Sequence, residues 1–481
     1  MRRGVTVLGL SLALAIPLAP GPASAAAGPA TGRSAVQSAE LATAAAQGVA
    51  ARARATTLAA NARIGSVLAT RTKSKVLGSK FTMTVWDAAS GSYVYQRRST
   101  ASLRGASTTK ILTAVGVLSA LGPDHLFPTT VRAGATADEI VLVAGGDPLL
   151  SSANLRQLAA STVTALGGAV PTPAPVPSAS ATAVPSATPS TLPSTAPSAA
   201  VTAAAARSLA GRTIVVRADD SLFGDQSARS RGWKASYVPG EVRLVGAFAR
   251  DDNKSRGTTK DAASYFVKAL KALGVSATYA GEATAAPESA TVATYPGHSV
   301  AQAVAHMLLI SENDTAEMLF RQVAVGRGVP ATWAGARSAL AAALTDLGVP
   351  LTGVRIVDGS GLSLDGRLTA PALTTALSRA LSADQPRLSG LRGWLPVAGR
   401  TGTLKSGYKR FSSKPSKCAA GLIQAKTGTV ADAIALAGYA NGADGQTKVF
   451  VSIVNSRPTR YSRLTTRQYV DRAASSVTGC W

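Results

Sequence analysis

The sequence predicts an α+β fold, or a three-layer domain, that a large insertion interrupts. The order of periodic segments is a strand hairpin, a helix, a long middle region, further helices and a closing run of strands. Runs of strands separated from runs of helices are typical of α+β domains. The interruption is marked by a stretch from Arg156 to Arg207 with no charged residue between its ends.

Residues 1–25 have the pattern of a secretory signal peptide. Arg2 and Arg3 give the positive start, 5–18 the apolar stretch, and small residues lead to a cleavage site after Ala25. An uncleaved anchor is the alternative, although prolines shorten and interrupt the apolar run. We expect export, with no transmembrane span after cleavage. The Ala-rich extension at 26–74 favours helix but is a poor core former.

A hairpin and a helix are the first elements predicted. Residues 81–86 alternate and are rich in β-favouring types, and 93–95 return after a Ser-Gly turn. A helix follows Ser107, with apolar residues at helical spacing, and Gly122 and Pro123 end it.

The middle region, 123–296, is predicted as an inserted domain or domains rich in β structure. Prolines mixed with Ala, Ser and Thr make 169–206 an extended, disordered loop, because such a sequence has nothing to form a core with. An interdomain linker is the alternative, but strand-like 213–216 resumes directly afterwards and favours an insertion. The interrupted domain comprises 75–122 and 297–481.

Further helices and a strand meander complete the prediction. Helical patterns cover 265–273, 300–310 and 316–323, and strand patterns cover 419–427, 433–439 and 448–454.

The composition narrows the classes of function. Lysine and arginine total 50 against 25 acidic residues, a net charge of +25, which predicts anionic surroundings. We expect no nucleic acid partner, because the sequence has no Cys/His finger, basic zipper region or aromatic RNA-binding signature. Anionic cell-wall polymers or membrane surfaces are then the expected counter-charges. Three histidines and two cysteines leave little basis for a metal centre, so we expect neither metal nor cofactor.

Cys418 and Cys480 are a natural disulfide pair if the chain enters an oxidising compartment. In the chain-entropy model, a loop of this size contributes roughly 4 kcal/mol. Two free, buried thiols are the alternative.

Ser107 and Lys110 form the first chemical motif, Ser-x-x-Lys. If Ser107 opens the helix, Lys110 lies on the same helical face. A serine nucleophile needs a base, and a lysine whose pKa is lowered by burial or a second cation can be that base. An N-cap serine with a solvated lysine is the alternative, and Ser406 and Lys409 have the same spacing.

Two further motifs follow in the chain. Ser311 and Asn313 form Ser-x-Asn between two predicted helices. Lys426, Thr427 and Gly428 end a predicted strand, where a glycine permits close approach of a ligand or another backbone. Helix capping and a solvated strand-end lysine are the separate alternatives. The three motifs in this order and these contexts are described for serine β-lactamases and penicillin-binding proteins.

From about Phe81 to the C-terminus the chain resembles the D-alanyl-D-alanine carboxypeptidases/endopeptidases, the low-molecular-mass class C penicillin-binding proteins. Besides the three motifs, the segments that carry the resemblance are 145–149, 211–223, 232–233, 358–363, 395–399, 402–404 and 433–439. The resemblance implies a penicillin-binding-protein/β-lactamase-like transpeptidase domain. This domain has a helical lobe and an antiparallel sheet, and a large β-rich insertion interrupts it.

The resemblance also implies catalytic roles. Ser107 would attack the carbonyl of the penultimate D-Ala and form an acyl-enzyme, with Lys110 accepting its proton. Ser311 would relay a proton to the leaving amine, and Lys426 would support that relay. Asn313 would hold the substrate amide.

Substrate-binding residues follow in the same way. Thr427, with Gly428 and Thr429, would bind the terminal carboxylate. The backbone N–H groups of Ser107 and Thr429 would form the oxyanion hole. Asp147 would hold an ammonium group of the stem peptide, or alternatively would form a turn before a proline.

The implied substrates are peptidoglycan stem peptides, with β-lactams as covalent inhibitors. The implied location is secreted or wall-associated, outside the membrane of a bacterium. A serine β-lactamase and a catalytically weak cell-wall-binding protein are the alternatives, together with a hydrolase that depends on His125, His298 or His306. The balance between carboxypeptidase and endopeptidase stays open.

Overall fold

The computed structural model describes residues 32–167, 209, 211–226, 228–251 and 257–481. The predicted signal peptide, 1–25, and the predicted disordered loop, 169–206, lie outside these residues. The chain divides into two compact units, residues 1–56 and 57–481.

The described residues form helices and strands in alternating groups. The α-helices are α1 Gly32–Arg71, α2 Thr109–Leu121, α3 Ser152–Ala165, α4 Thr258–Ala272, α5 Val300–Ile310, α6 Asn313–Gly326, α7 Trp333–Asp346, α8 Ala370–Arg379 and α9 Arg463–Ser475. The strands are β1 Lys80–Asp87, β2 Ser92–Arg97, β3 Thr129–Ala133, β4 Glu139–Val143, β5 Thr213–Asp219, β6 Ser276–Glu282, β7 Thr291–Tyr295, β8 Ile423–Thr429, β9 Ala433–Asn441 and β10 Thr447–Asn455.

Helix α1 occupies the predicted extension and runs through the boundary between the units. Within the first unit its residues from Ala42 onward are exposed. Within the second unit Ile64 and Leu68 are fully buried. The expectation that 26–74 contributes little to a core is therefore wrong for its last turns, where two large apolar residues lie four apart on one face.

The main sheet of the second unit has the order β2-β1-β10-β9-β8, and all its neighbouring strands are antiparallel. Successive side chains of β9 point to opposite faces of the sheet, and both faces carry apolar residues. Ala435 and Ala437 belong to the larger core cluster, which includes residues of α8. Ile434 and Leu436 belong to a second cluster, which includes Val470 of α9. The sheet is therefore the middle of three layers.

The helical lobe is built around α2. This helix packs against α5, α6, α7 and α8, and nine of its residues, from Lys110 to Leu118, are buried. Gly122 ends the helix with a φ of 85°, a conformation that favours glycine. A lysine inside such an apolar helix indicates a functional position, because an unpaired charge there is costly.

A second sheet lies at 129–295, within the predicted insertion. Its order is β6-β5-β4-β3-β7. The β4–β5 and β5–β6 pairs are parallel, and the β3 pairs are antiparallel. Helices α3 and α4 pack against this sheet and each other, so the region predicted as β-rich is mixed. Within the described part of the chain, no helix combines the length and apolarity needed to cross a membrane.

Candidate active site

The three motifs meet in one cleft of about 230 Å³. Its lining combines hydroxyl groups with two guanidinium groups. The lining residues are Ser107, Ser311, Thr403, Tyr408, Arg410, Thr427, Thr429 and Arg467.

Ser107 lies in a short 3-10 turn, Ala106–Thr108, directly before α2. The expectation that it opens the α-helix is therefore slightly wrong, because the turn carries Ser107 and α2 begins at Thr109. Ala106 has a φ of 46°, which is strained for a residue with a Cβ. Strain of this kind is typical of functional turns.

Lys110 is fully buried at the base of the cleft. Its Nζ lies 3.2 Å from Oγ of Ser107. The same nitrogen donates to Oδ1 of Asn313 at 2.7 Å and to the carbonyl oxygen of Ser360 at 3.0 Å. Burial lowers the pKa of Lys110 to about 8, while the negative charge of Glu312 opposes the shift. A minor fraction of Lys110 is therefore neutral at pH 7, and this fraction grows as pH approaches the pKa.

Asn313 begins α6 and is oriented by the insertion. Its Nδ2 donates to the backbone carbonyl of Glu241 at 2.9 Å, which leaves Oδ1 facing Lys110. Ser311 caps the end of α5 in the left-handed region, with a φ of 67°. This sharp corner turns the hydroxyl of Ser311 into the cleft, between two helices that would otherwise be continuous.

Lys426 is the fully buried lysine of the third motif. Its Nζ donates to Oγ of Ser311 at 2.7 Å and to the carbonyl oxygen of Thr427 at 3.0 Å. Burial lowers the pKa of Lys426 well below its usual value, and the positive charges of Lys110 and Arg410 act in the same direction. The third motif is therefore joined directly to the second.

The outer edge of β8 faces the cleft. Backbone bonds from Ala425 to Pro396 and from Ala398 to Ile423 cover the first half of this edge. Because the direction of backbone groups alternates along a strand, the N–H groups of Thr427 and Thr429 point to the same edge.

A glycine allows this edge to approach the serine turn. A Cβ on Gly428 would lie 2.7 Å from the carbonyl oxygen of Gly105. Any side chain there would push β8 away from Ser107, so the glycine of the third motif is required by packing.

Glu317 is a structural part of the site that sequence reasoning missed. It is fully buried on α6, and its carboxylate accepts from the backbone N–H groups of Gly359 and Ser360, both at 2.8 Å. Burial, with the nearby Asp358, raises the pKa of Glu317 to about 8. The contact fixes the carbonyl of Ser360 against Lys110. In the sequence, this residue could have been recognised as a glutamate inside the apolar run that follows Ala316.

Asp147 has an environment that favours the turn-forming alternative. Its side chain is 1% exposed. One carboxylate oxygen accepts from the N–H of Leu149, and the other contacts the backbone and ring nitrogens of His298 at 3.1 and 2.9 Å. Both oxygens are engaged, and Asp147 is not among the residues that line the cleft. The structure therefore does not support Asp147 as the ligand of a substrate ammonium group.

The cysteines and histidines lie outside the cleft lining. Cys418 and Cys480 are bonded to each other, with Cα atoms 6.1 Å apart. His298 is bound to Asp147, and Nε2 of His306 is buried without a hydrogen-bond partner among the described residues. Among the described residues, no group of three or more His, Cys, Asp or Glu side chains is placed to hold a metal ion.

A serine beside a buried lysine, at the edge of an antiparallel sheet and under a helical lobe, is the arrangement of serine enzymes that act through an acyl-enzyme. The model of the D-Ala-D-Ala carboxypeptidase 3 (S13) family matches residues 64–172 and 247–476. The chain belongs to this family, and its activity is that of a serine-type D-Ala-D-Ala carboxypeptidase, a hydrolase.

Curated relatives agree with this assignment. The chain is 29% identical over 381 residues to a carboxypeptidase of Mycobacterium tuberculosis, covering 77% of this chain and 75% of that protein. It is 26% identical over 417 residues to a D-alanyl-D-alanine carboxypeptidase of an Actinomadura species, with 77% of each chain covered.

Solved structures show the same fold. The crystal structure of penicillin binding protein 4 from Haemophilus influenzae aligns with a TM-score of 0.64 at 18% identity, covering 85% of this chain and 99% of that one. The same protein complexed with a β-lactam aligns with a TM-score of 0.60 at 16% identity, with the same coverage.

Proposed function

We propose that Ser107 is the nucleophile of a D-Ala-D-Ala carboxypeptidase that trims peptidoglycan stem peptides. The observation that carries this assignment is the 3.2 Å separation between Oγ of Ser107 and Nζ of the buried Lys110. A neutral lysine amine has two N–H bonds. Both are used by acceptors that cannot donate, Oδ1 of Asn313 and the carbonyl of Ser360. The lone pair is thereby left for the proton of Ser107.

Ser311 and Lys426 supply the second proton path. In this scheme Ser107 attacks the carbonyl of the penultimate D-Ala, and the C–N bond to the terminal D-Ala breaks. The amine that leaves must gain a proton, which the hydroxyl of Ser311 delivers while Lys426 stabilises the resulting oxygen. The 2.7 Å contact between Lys426 and Ser311 supports this role. Water then attacks the acyl-enzyme and releases the shortened peptide.

The open edge of β8 supports a role in binding. The N–H groups of Thr429 and Ser107 would donate to the oxyanion, where each such donor is worth about 3–4 kcal/mol. The hydroxyl of Thr427 donates its single proton to Oγ1 of Thr403 at 2.8 Å. When substrate binds, this hydroxyl would turn and donate to the terminal carboxylate instead. Asn313 would hold the substrate amide while keeping its contact with Lys110.

The direct test uses a labelled penicillin. The wild-type protein should become covalently labelled, and Ser107→Ala should abolish the label. Ser406→Ala is the matched control, because Ser406 and Lys409 have the same spacing but are exposed, so this variant should label normally. Labelling of Ser107→Ala at the wild-type level would overturn the assignment.

A second measurement addresses the balance between two reactions. D-Ala release from a pentapeptide stem should be compared with cleavage of a cross-link between D-Ala and a diamino acid. Release of D-Ala is the expected main reaction of this family member. Cleavage of the cross-link at an equal or higher rate would instead make the protein mainly an endopeptidase.

Export and wall association belong to the same proposal. Residues 1–25 have the pattern of a signal peptide, and the bond between Cys418 and Cys480 suits an oxidising compartment. The N-terminus of the protein recovered from the cell exterior should begin near Ala26. Retention on isolated wall polymers should weaken as salt rises, because a charge of +25 is screened by ions.

A further inference from the structure

The active-site cleft contains two arginines that none of the three motifs supplies. Arg410 comes from the segment before β8, and Arg467 comes from α9. Both guanidinium groups share the cleft with Ser107, Thr427 and Thr429. The two guanidinium groups differ in their hydrogen-bond partners, and this difference shows which of them can bind a ligand.

Arg410 is already neutralised. Its Nε and Nη2 donate to the two carboxylate oxygens of Asp471 at 2.8 and 2.5 Å. The side chains of both residues are almost fully buried, at 3% and 1% exposure. This bidentate pair has no net charge and fixes the wall of the cleft, so Arg410 acts as a positioning residue.

Arg467 has no such partner. It precedes Asp471 by one turn of α9, but both oxygens of that carboxylate are taken by Arg410. Within the described part of the chain, no hydrogen bond or ion pair satisfies Arg467, and its Nε is buried without an acceptor. Burial and the charges of Arg410 and Arg463 lower the pKa of Arg467. The charge of Asp471 opposes this shift, and a guanidinium remains protonated at neutral pH.

A half-buried guanidinium without a hydrogen-bond acceptor in a cleft is stabilised when a ligand brings a carboxylate. The substrate class assigned above has one anionic group next to the scissile bond, the α-carboxylate of the leaving D-Ala. A guanidinium can bind a carboxylate through two parallel N–H bonds, while Thr427 donates from the sheet edge. An amide or ester at that position would leave Arg467 unpaired.

We propose that Arg467 is a specificity-determining residue that requires a free α-carboxylate on the leaving residue and rejects leaving residues whose carboxyl group is amidated. This inference rests on the proposed function, because it identifies the anion through the D-Ala-D-Ala substrate. It applies equally to a cross-link, where the leaving diamino acid carries a carboxylate beside its reacting amine.

The test compares an acyl-D-Ala-D-Ala peptide with its C-terminal amide as substrates of the full chain. The wild-type kcat/KM should be much higher for the acid. Arg467→Gln should lower kcat/KM for the acid by about 10- to 100-fold, the effect of losing a charged hydrogen-bond pair, and leave the amide unchanged. Arg467→Lys should keep part of the preference, since it retains the charge but loses the bidentate geometry.

Arg472→Gln is the matched control. It removes the same charge from the same helix at an exposed position outside the cleft lining, so the preference for acid over amide should stay at the wild-type value. A second readout uses the acylation rate with benzylpenicillin and with its methyl ester. Arg467→Gln should reduce the advantage of the free acid to a similar degree.

The outcomes separate the two levels of the proposal. If the wild-type protein releases D-Ala and Arg467→Gln keeps the full acid-to-amide ratio, the inference about Arg467 is wrong and the proposed function stands. An equal rate of wild-type hydrolysis for acid and amide would also overturn it. If the wild-type protein neither releases D-Ala nor reacts with penicillin, the proposed function itself is wrong.

Discussion

The amino group of Lys110 donates a 2.7 Å hydrogen bond to the side-chain carbonyl of Asn313, which joins α2 to the first residue of α6. Because Nδ2 of Asn313 is held by the carbonyl of Glu241, the insertion sets the orientation of the amide. The proposed base is thus positioned by three separate parts of the chain. Disturbing any of them should alter the chemistry at Ser107 before it unfolds the protein.

The first prediction concerns pH. Burial lowers the pKa of Lys110 to about 8, and only the neutral amine can accept the proton of Ser107. The rate of acylation by penicillin should therefore rise with pH, reach half of its maximum near pH 8 and level off above it. Stopped-flow labelling from about pH 6 to about pH 10 measures this profile. A rate that falls as pH rises through this range would mean that Lys110 acts in its protonated form.

The second prediction concerns Glu317→Gln. The pKa values of Lys110 and Glu317 are both near 8, so the wild-type profile reports the two groups together. Glutamine cannot ionise, and loss of the negative charge should lower the pKa of Lys110 and shift the midpoint to lower pH. The plateau should also fall, because a glutamine oxygen cannot accept from both Gly359 and Ser360 as the carboxylate does.

Glu288→Gln is the control for that experiment. Glu288 is exposed in the insertion, so its replacement should change neither the midpoint nor the plateau. A purely structural role of Glu317 would lower the plateau and leave the midpoint in place, and this result would contradict the electrostatic part of the prediction.

The third prediction concerns the turn that carries the serine. Gly361 has a φ of 83°, and a Cβ there would lie 2.0 Å from the carbonyl oxygen of Ala106. Gly361→Ala should destabilise the protein by at least about 1–3 kcal/mol and slow acylation, because the displaced residue adjoins Ser107. Gly366→Ala is the control, since its nearest contact is an ordinary 3.6 Å. Equal stability of the two variants, measured by urea unfolding, would refute the steric argument.

The fourth prediction concerns the buried pair of Arg410 and Asp471. Asp471→Asn leaves a buried guanidinium without its counter-charge and should cost about 3–5 kcal/mol in unfolding free energy. The exposed pair of Arg327 and Asp346 gives the comparison, and Asp346→Asn should cost no more than about 1 kcal/mol. Similar losses for the two substitutions would show that the buried pair is already accessible to water.

Much of this fold could be predicted because its signals are local. The alternation of β1, β9 and β10, and the helical spacing in α2 and α5, lie within single segments of sequence. The strand predicted from 419 begins instead at Ile423, because Ser416–Ala419 forms a 3-10 turn that reverses the chain. Helix α9 was missed because several of its buried residues, such as Thr466 and Asp471, are polar, so the helix carries no apolar period.

The site was predictable to the extent that residue spacing encodes it. The spacings around Ser107, Ser311 and Lys426 mark residues that the structure brings into one cleft. Glu317 and Arg467 follow no such spacing. Their roles depend on pairings between residues distant in sequence, Glu317 with Ser360 in the first case and Arg410 with Asp471 in the second, and only the folded chain shows those pairings.

The covered half of the β8 edge has a consequence for the behaviour of the protein in concentrated solution. An uncovered edge strand offers its backbone to any extended chain, including another copy of the same molecule. Here Pro396 and Ala398 occupy the edge beside Ile423 and Ala425, and only the last residues of the strand stay open. A full strand from a neighbouring molecule therefore cannot pair along the whole of this edge. The segment around Pro396 and Ala398 thus limits strand pairing at this edge to the last residues of β8.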